Sequence, residues 1–231
     1  IMSTYGKDRT WPFAQGGEGT FGVITAVWLA SITLYKQKKN PISTFVLAVA
    51  TFLWLMILYF FRDPNRDTSA DEGLVVGPGD GEVVEISYEY EDRYLKADIV
   101  RISMFLSVLD VHVQRVPIGG VVTAVDHQPG QYLQAFKPEA SQVNEYIGMV
   151  IDTPYGHVLT KQIAGILARR CVNYMDIGQT VETGQRFGLI RFSSRVDLFL
   201  PPTAQLLVTV GDKVTGGITP MATLRGSHDN E

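Results

Sequence analysis

A chain of 231 residues with 45% hydrophobic content has room for one large domain, or for one domain and an anchor. Its 24 acidic and 20 basic side chains leave a net charge of -4 with no basic stripe, which argues against a nucleic-acid partner. The single cysteine, Cys171, excludes an internal disulfide framework; with no Cys/His ligand spacing around it, it reads as an inert buried thiol and no metal site is expected.

Ile1 ahead of Met2 and the run 225–231, opening Arg225-Gly226-Ser227-His228, read as remnants of cloning and of a purification tag, without functional weight. Between Phe21 and Phe61 the charged residues are Lys36, Lys38 and Lys39 alone. As a helix, the apolar run Phe21 to Tyr35 covers roughly 22 Å, short of the ~30 Å hydrocarbon core of a bilayer. The uncharged run Ile42 to Phe61 reaches about 30 Å and is long enough to span. The short polar link from Lys36 to Pro41 predicts a helical hairpin, so residues 1–62 are expected to anchor the chain in a membrane. Trp11, Phe13, Tyr59, Phe60 and Phe61 would ring the interface. The link lysines favour a cytoplasmic link, whereas Lys7, Arg9, Arg62 and Arg66 favour a cytoplasmic C-terminal domain. A hairpin that dips into one leaflet satisfies both.

From Asp63 the texture changes to short β-rich runs punctuated by Gly, Pro and Asp: Glu82 to Tyr90, Asp98 to Ser107, Gly120 to His127, Met149 to Thr153, His157 to Ala164, Phe187 to Phe192, Val196 to Leu200 and Gln205 to Val210. Such spacing predicts a mainly β domain over 63–224, a sandwich or barrel. Ala164 to Val172 reads equally as strand or short helix. An apolar-Gly-x-x-Val-x-x-Gly frame occurs twice, at Ile177 to Gly184 and at Val210 to Gly217. It describes two similar hairpins with glycine at tight turns and valine turned inward, a pattern of barrel-sandwich hybrids and of lipoyl and biotinyl carrier domains.

Two alternating apolar runs meet at Phe192-Ser193-Ser194-Arg195, an ordinary composition for a strand corner. Three other stretches stand beside it: Gly77-Pro78-Gly79-Asp80-Gly81, Val111-His112-Val113-Gln114-Arg115, and Gln162-Ile163-Ala164-Gly165 running to Ala168-Arg169-Arg170. Singly, Asp80 is a turn former, His112 a core or edge histidine, and the double arginine a solvated or headgroup-facing pair. Together with Phe61-Arg62-Asp63-Pro64, Asn144-Glu145 and Gly184-Gln185-Arg186-Phe187-Gly188-Leu189-Ile190-Arg191-Phe192, and in this order, they resemble the short, pyruvoyl-dependent phosphatidylserine decarboxylases of bacteria and archaea. The resemblance runs from about Phe60 to Leu224.

It implies a self-processing enzyme that converts phosphatidylserine, or an ether-lipid analogue with the same headgroup, to the ethanolamine lipid and carbon dioxide. The proenzyme would cut itself before Ser194, whose remnant becomes the pyruvoyl cofactor, so no exogenous cofactor is required. That ketone condenses with the substrate amine and draws off the electrons left when carbon dioxide departs. Asp80 matches the family's acidic member, which with a histidine would complete a Ser-His-Asp arrangement. Where longer members carry a second histidine this chain has Arg115, which cannot accept a proton at neutral pH, so His112 is the expected base, with His157 the fallback and His127 behind it. Arg115, Asn144, Glu145 and Arg195 are the expected substrate contacts, and Arg169 and Arg170 further candidates for the lipid phosphate. The expected location is the inner cell membrane, with the catalytic domain on the cytoplasmic face.

One residue departs from the pattern. Ser193 stands where the family has glycine, and a side chain there restricts the backbone and shields the carbonyl that must be attacked. Slow or absent maturation is therefore expected, which leaves the chain as an uncleaved proenzyme. A different class of function, a non-catalytic membrane adaptor or carrier on a barrel-sandwich hybrid, would present a modified lysine at a hairpin turn. Lys213 precedes its valine, but the first hairpin has no equivalent lysine. A dimer is compatible with a hairpin-anchored β protein, although no residue marks one.

Overall fold

The computed structural model describes residues 12–69, 71–131, 133, 143–165, 171–191 and 194–225. The chain forms two compact units, one over Trp11–Pro64 and one from Asn65 onward. In the first, α1 (Glu18–Gln37) and α2 (Pro41–Phe60) are 20 residues each. At 1.5 Å per residue both reach about 30 Å, so α1 is longer than the apolar run alone predicts. Its polar ends, Glu18 to Thr20 and Lys36 to Gln37, continue the helix past the uncharged stretch. Asn40 starts α2 with a reciprocal cap. Its Oδ1 accepts from the Ser43 amide at 2.8 Å, its own amide donates to Ser43 Oγ at 3.2 Å, and Pro41 opens the first turn.

Val23, Val27 and Leu29 on α1 and Ile42, Phe45, Phe52 and Leu55 on α2 point outward and are exposed. A water-facing helix would put polar residues there, so this surface suits hydrocarbon. The segments have mean hydropathies of 1.2 and 2.2, and both helices are long and apolar enough to cross a membrane. Two tryptophans join them. The Trp28 and Trp54 rings stack with centroids 4.6 Å apart, and each indole N–H donates 3.1 Å across the pair, Trp28 to Thr51 Oγ1 and Trp54 to Thr25 Oγ1. The expected aromatic ring needs correction. Phe60 and Phe61 are buried, with Phe61 packing on Phe21 and Phe60 and Phe13 packing on Phe21, because they close the base of the hairpin; Tyr59 remains exposed, and Trp11 lies outside the described residues.

The second unit is mainly β. Its strands are β1 (Leu74–Val76), β2 (Gly81–Glu91), β3 (Ala97–Leu106), β4 (Val113–Arg115), β5 (Gly120–Gln128), β6 (Tyr146–Thr153), β7 (Gly156–Ala164), β8 (Cys171–Asn173), β9 (Thr180–Val181), β10 (Arg186–Ile190), β11 (Ser194–Leu200), β12 (Gln205–Leu206), β13 (Lys213–Val214) and β14 (Pro220–Thr223). Eight of them form a curled antiparallel half-barrel in the order β13-β2-β3-β11-β7-β6-β5-β9. Two three-stranded sheets, β1-β14-β12 and β4-β10-β8, complete the unit. Each run predicted as strand falls on one. Gln205 to Val210 shrinks to two residues, and 166–170 and 192 lie outside the described residues.

β11 sits in the middle of the half-barrel, paired with β3 from Ser194↔Leu106 to Leu200↔Val100 and with β7 from Ser194↔Ala164 to Phe199↔Leu159. All seven of its residues are buried. Val196, Leu198 and Leu200 face the main core with Ile102, Met104 and Leu106, while Arg195 and Asp197 take the opposite face. The repeated frame is real in three dimensions. Gly178 and Gly211 have φ of 86° and 97°, Gly184 and Gly217 have 78° and 75°, and Val181 and Val214 are both buried.

Candidate active site

Antiparallel alternation gathers the singled-out motifs at one end of the half-barrel. There β2 begins at Gly81, next to Asp80; β3 ends at Leu106, β11 begins at Ser194, β7 ends at Ala164, and β6 begins just after Glu145. A single row crosses the sheet through Leu106, Ser194 and Ala164, and the Ala164 amide donates to the Glu145 carbonyl at 2.9 Å. No glycine substitute fits at the head of β2, since a Cβ on Gly81 would lie 2.3 Å from the Phe105 carbonyl oxygen.

Ser194 is fully buried, and its Oγ has no hydrogen-bond partner among the described residues. Buried polar atoms are ordinarily satisfied, and among the described residues Ser194 Oγ shares the exception with a few others, Thr68 Oγ1 and Gln162 Oε1 among them. Phe192 and Ser193, the other side of the expected cleavage bond, lie outside the described residues.

His112 is also fully buried, and its carbonyl accepts from the Ile190 amide at 3.2 Å, which holds it against the strand that leads toward Ser194. Its Nδ1 lies 3.0 Å from the Asp110 main-chain carbonyl. A carbonyl only accepts, so Nδ1 carries the proton and Nε2 keeps the lone pair a base requires. The orienting acceptor is therefore the Asp110 backbone and not the Asp80 carboxylate. Asp80 is instead gripped by Arg66, through Oδ1 at 2.5 Å and Oδ2 at 2.8 Å, and by the Gly216 amide at 2.8 Å. Sequence reasoning missed Arg66 in this role. Its signal was position, two residues past the Phe61-Arg62-Asp63-Pro64 motif.

A second overlooked feature is a pair of buried amides. Gln162 Nε2 donates to Gln114 Oε1 at 2.9 Å, and Gln114 Nε2 donates to the His112 carbonyl at 2.7 Å. This relay links β7, beside Ser194, to the His112 segment. Gly188 makes room for it, since a Cβ there would lie 2.4 Å from Gln162 Nε2 and 2.5 Å from the Val172 carbonyl.

The expected substrate contacts are largely occupied inside the protein. Arg195 is 1% exposed; its Nε donates to Asp197 at 2.7 Å and its Nη2 to Glu85 at 3.0 Å and Ser103 Oγ at 2.6 Å. Burial alone would lower this guanidinium, but the carboxylates of Asp197 and Glu85 hold it above its ordinary value. Arg115, equally buried, donates to the Gly184 carbonyl at 3.1 Å. Asn144 spends its amide on the backbone, donating to Leu133 O at 2.9 Å and Ala164 O at 2.8 Å and accepting from Leu133 N at 2.8 Å. These three side chains bond to neighbouring protein groups and tie together the strands around Ser194. Glu145 differs in that its carboxylate meets the exposed His127 at 3.2 Å. Arg169 and Arg170 lie outside the described residues.

The alternative bases stand elsewhere on the sheet. His157 pairs with Asp152 at 3.2 Å and stands seven residues down β7 from Ala164, about 23 Å away. His127 lies three strands from Ser194, about 14 Å along the sheet. Burial and the nearby Glu145 charge push the Cys171 thiol well up, consistent with an inert group. Lys213, the carrier-type lysine, pairs with Glu82 at 2.6 Å. Among the described residues no His, Cys, Asp and Glu group is arranged to hold a metal.

A family model described as phosphatidylserine decarboxylase matches residues 53–222. Curated relatives bearing the name phosphatidylserine decarboxylase proenzyme include one from Salinibacter ruber, 45% identical over 184 residues, 78% of this chain and 79% of the relative. One from Parabacteroides distasonis is 40% identical over 205 residues, 87% of this chain and 93% of the relative. One from Carboxydothermus hydrogenoformans is 42% identical over 177 residues, 75% and 82% of the two chains. With the motif-bearing strands, the Ser194 end of the half-barrel and nearly the whole of the β unit inside the match, this chain belongs to the phosphatidylserine decarboxylase family.

Proposed function

We propose that this decarboxylase matures by cutting its own backbone between Ser193 and Ser194, and that residues 1–62 hold the β domain of 63–224 at the inner membrane, facing the cytoplasm. The observation that carries this reading is the buried Ser194 hydroxyl without a partner among the described residues, at the same end of the sheet as His112. Ser194 Oγ attacks the carbonyl carbon of residue 193, and the peptide bond becomes an ester as the Ser194 nitrogen is released as an amine. The His112 Nε2 lone pair takes the hydroxyl proton. Removal of the Ser194 Cα proton then expels the carboxylate of residue 193 and leaves dehydroalanine at 194. Water adds, ammonia leaves, and a ketone remains at the new N-terminus.

A buried hydroxyl with no partner among the described residues fits the precursor of such a group. The ketone, once formed, supplies an electron sink for loss of carbon dioxide from the amine-bearing headgroup. The chain's own contribution is to keep that position fixed and dry, through the ladders on both sides of β11, the Gln114–Gln162 relay and the Asn144 clamp on Ala164. Glu145 is the carboxylate we assign to the substrate ammonium, and Asp80, locked by Arg66, stiffens the adjacent turn. Diacyl and ether lipids share the reacting headgroup, and both are substrates in this scheme.

Ser193 in place of glycine narrows the backbone conformations open to the attacked residue, so this chain persists as proenzyme. Mass spectrometry tests it. The unsubstituted chain is expected to stay intact, and Ser193→Gly to give two fragments divided before Ser194, with labelled carbon dioxide released from phosphatidylserine. An intact Ser193→Gly chain that releases no carbon dioxide would overturn the reading; two fragments from the unsubstituted chain would overturn the trapped-proenzyme part alone.

A further inference from the structure

The turn joining β3 to the His112 segment has an unusual make-up. Ser107 and Asp110 close it: the Asp110 amide donates to the Ser107 carbonyl at 3.0 Å, and the Ser107 amide donates to Asp110 Oδ2 at 2.7 Å. Its two central positions, where a water-facing turn ordinarily carries Gly, Pro, Asn or Asp, hold Val108 and Leu109. Their side chains are 46% and 66% exposed. The turn's one acid is bound to the backbone, so the groups held outward are apolar, and the closed turn holds them there without further ordering. Leu106, one residue before this turn, is the direct partner of Ser194. Val143, at the same end of the sheet, adds a third apolar side chain, 36% exposed. Tyr88, Tyr90, Ile177 and Val210 are also exposed, but they do not adjoin this row.

We propose that Val108 and Leu109 form a membrane contact separate from the helical hairpin, entering the headgroup and upper acyl region of a phospholipid bilayer and seating the Ser194 end of the half-barrel on the lipid surface. The occupant is a bilayer because the family acts on a bilayer lipid and the same chain carries two helices apolar enough to cross one. The proposal rests on the reading of Ser194 as the reactive residue. An apolar pair on a rigid turn inserts to about the depth of its side chains and so brings headgroups level with that end of the sheet.

The test separates insertion from catalysis. Leu109→Cys in the full chain, labelled with an environment-sensitive fluorophore, is reconstituted in phosphatidylcholine vesicles with and without phosphatidylserine; the buried Cys171 does not compete for label. Thr203→Cys, exposed in the turn after the far end of β11, is the reference. The label at 109 is expected to shift to the blue and to be quenched by brominated acyl chains, while the label at 203 stays in water. A second arm uses Val108→Ser/Leu109→Ser in the Ser193→Gly background. Cleavage is expected to be unchanged and KM for vesicle phosphatidylserine to rise about tenfold with kcat unaltered, while a short-chain phosphatidylserine below its micelle concentration is turned over as before. A water-exposed label at 109, a blue shift without bromolipid quenching that assigns the turn to a second copy of the chain, or equal losses on both substrates would overturn the proposal. Absence of carbon dioxide from both substrates with the Ser193→Gly chain would instead overturn the decarboxylase site, and the quenching at 109 would still decide insertion.

Discussion

Two buried polar groups sit back to back on β11 and differ in how far their hydrogen-bonding capacity is spent. On the core side, the Ser194 hydroxyl has no partner among the described residues. One residue later and on the opposite face, Arg195 joins Asp197, Glu85 and Ser103, with Arg101 reaching Glu85 at 3.0 Å, Glu89 at 3.1 Å and Asp197 at 3.6 Å. This network ties β2, β3 and β11 together. A buried hydroxyl left without a partner costs stability, and a fold keeps such a group when chemistry needs it. As the structure places it, Arg195 ties β11 to β2 and β3 next to Ser194.

The sharpest test is Ser194→Ala in the Ser193→Gly background. We expect no second fragment by mass spectrometry at any incubation time, with thermal stability equal or higher because an unpaired hydroxyl is removed. His112→Ala in the same background should slow cleavage by about 10²–10⁴-fold, read by gel densitometry, as loss of a general base does. His157→Ala should leave the rate unchanged, and equal rates for the two variants would break the assignment of the base. On the other face, Arg195→Met should cost about 3–5 kcal/mol in urea unfolding, because it removes the 2.7 Å ion-pair partner of the fully buried Asp197 and leaves it Arg101 at 3.6 Å; adding Asp197→Leu should recover most of it.

The smallest effect concerns pH. Burial alone would raise the Glu91 carboxyl, but the amides of Leu95 and Tyr94 and the Lys161 ammonium outweigh it and hold the group below its ordinary value. A carboxyl depressed in the folded state stabilises fully above the ordinary carboxylate range, and the contribution fades as pH falls through the folded value. Glu91→Gln should therefore flatten the acid limb of the stability curve by at most about 1 kcal/mol, measured by thermal melts across pH.

Much of the architecture was legible along the chain. Uncharged runs of helical length marked α1 and α2, and punctuated alternation marked the strands, because side-chain periodicity and turn chemistry act over a few neighbouring residues. The repeated glycine frame anticipated four positive-φ glycines for the same reason. Phe60 and Phe61 were misread, since an aromatic at a helix end looks the same whether it faces headgroups or folds back on Phe21.

By itself the sequence determined the hairpin, the β-rich domain, the family and the serine on which the chemistry is proposed to turn, since each is written in local pattern or collinear motif. Tertiary structure alone decided which motifs share an end of the sheet and how each polar atom is spent. It bound Asp80 to Arg66, turned His112 on the Asp110 carbonyl, enclosed Arg195 among carboxylates and removed His157 by the length of a strand. Residues far apart in the chain compete for the same few buried hydrogen bonds, and the outcome of that competition is a property of the packed whole.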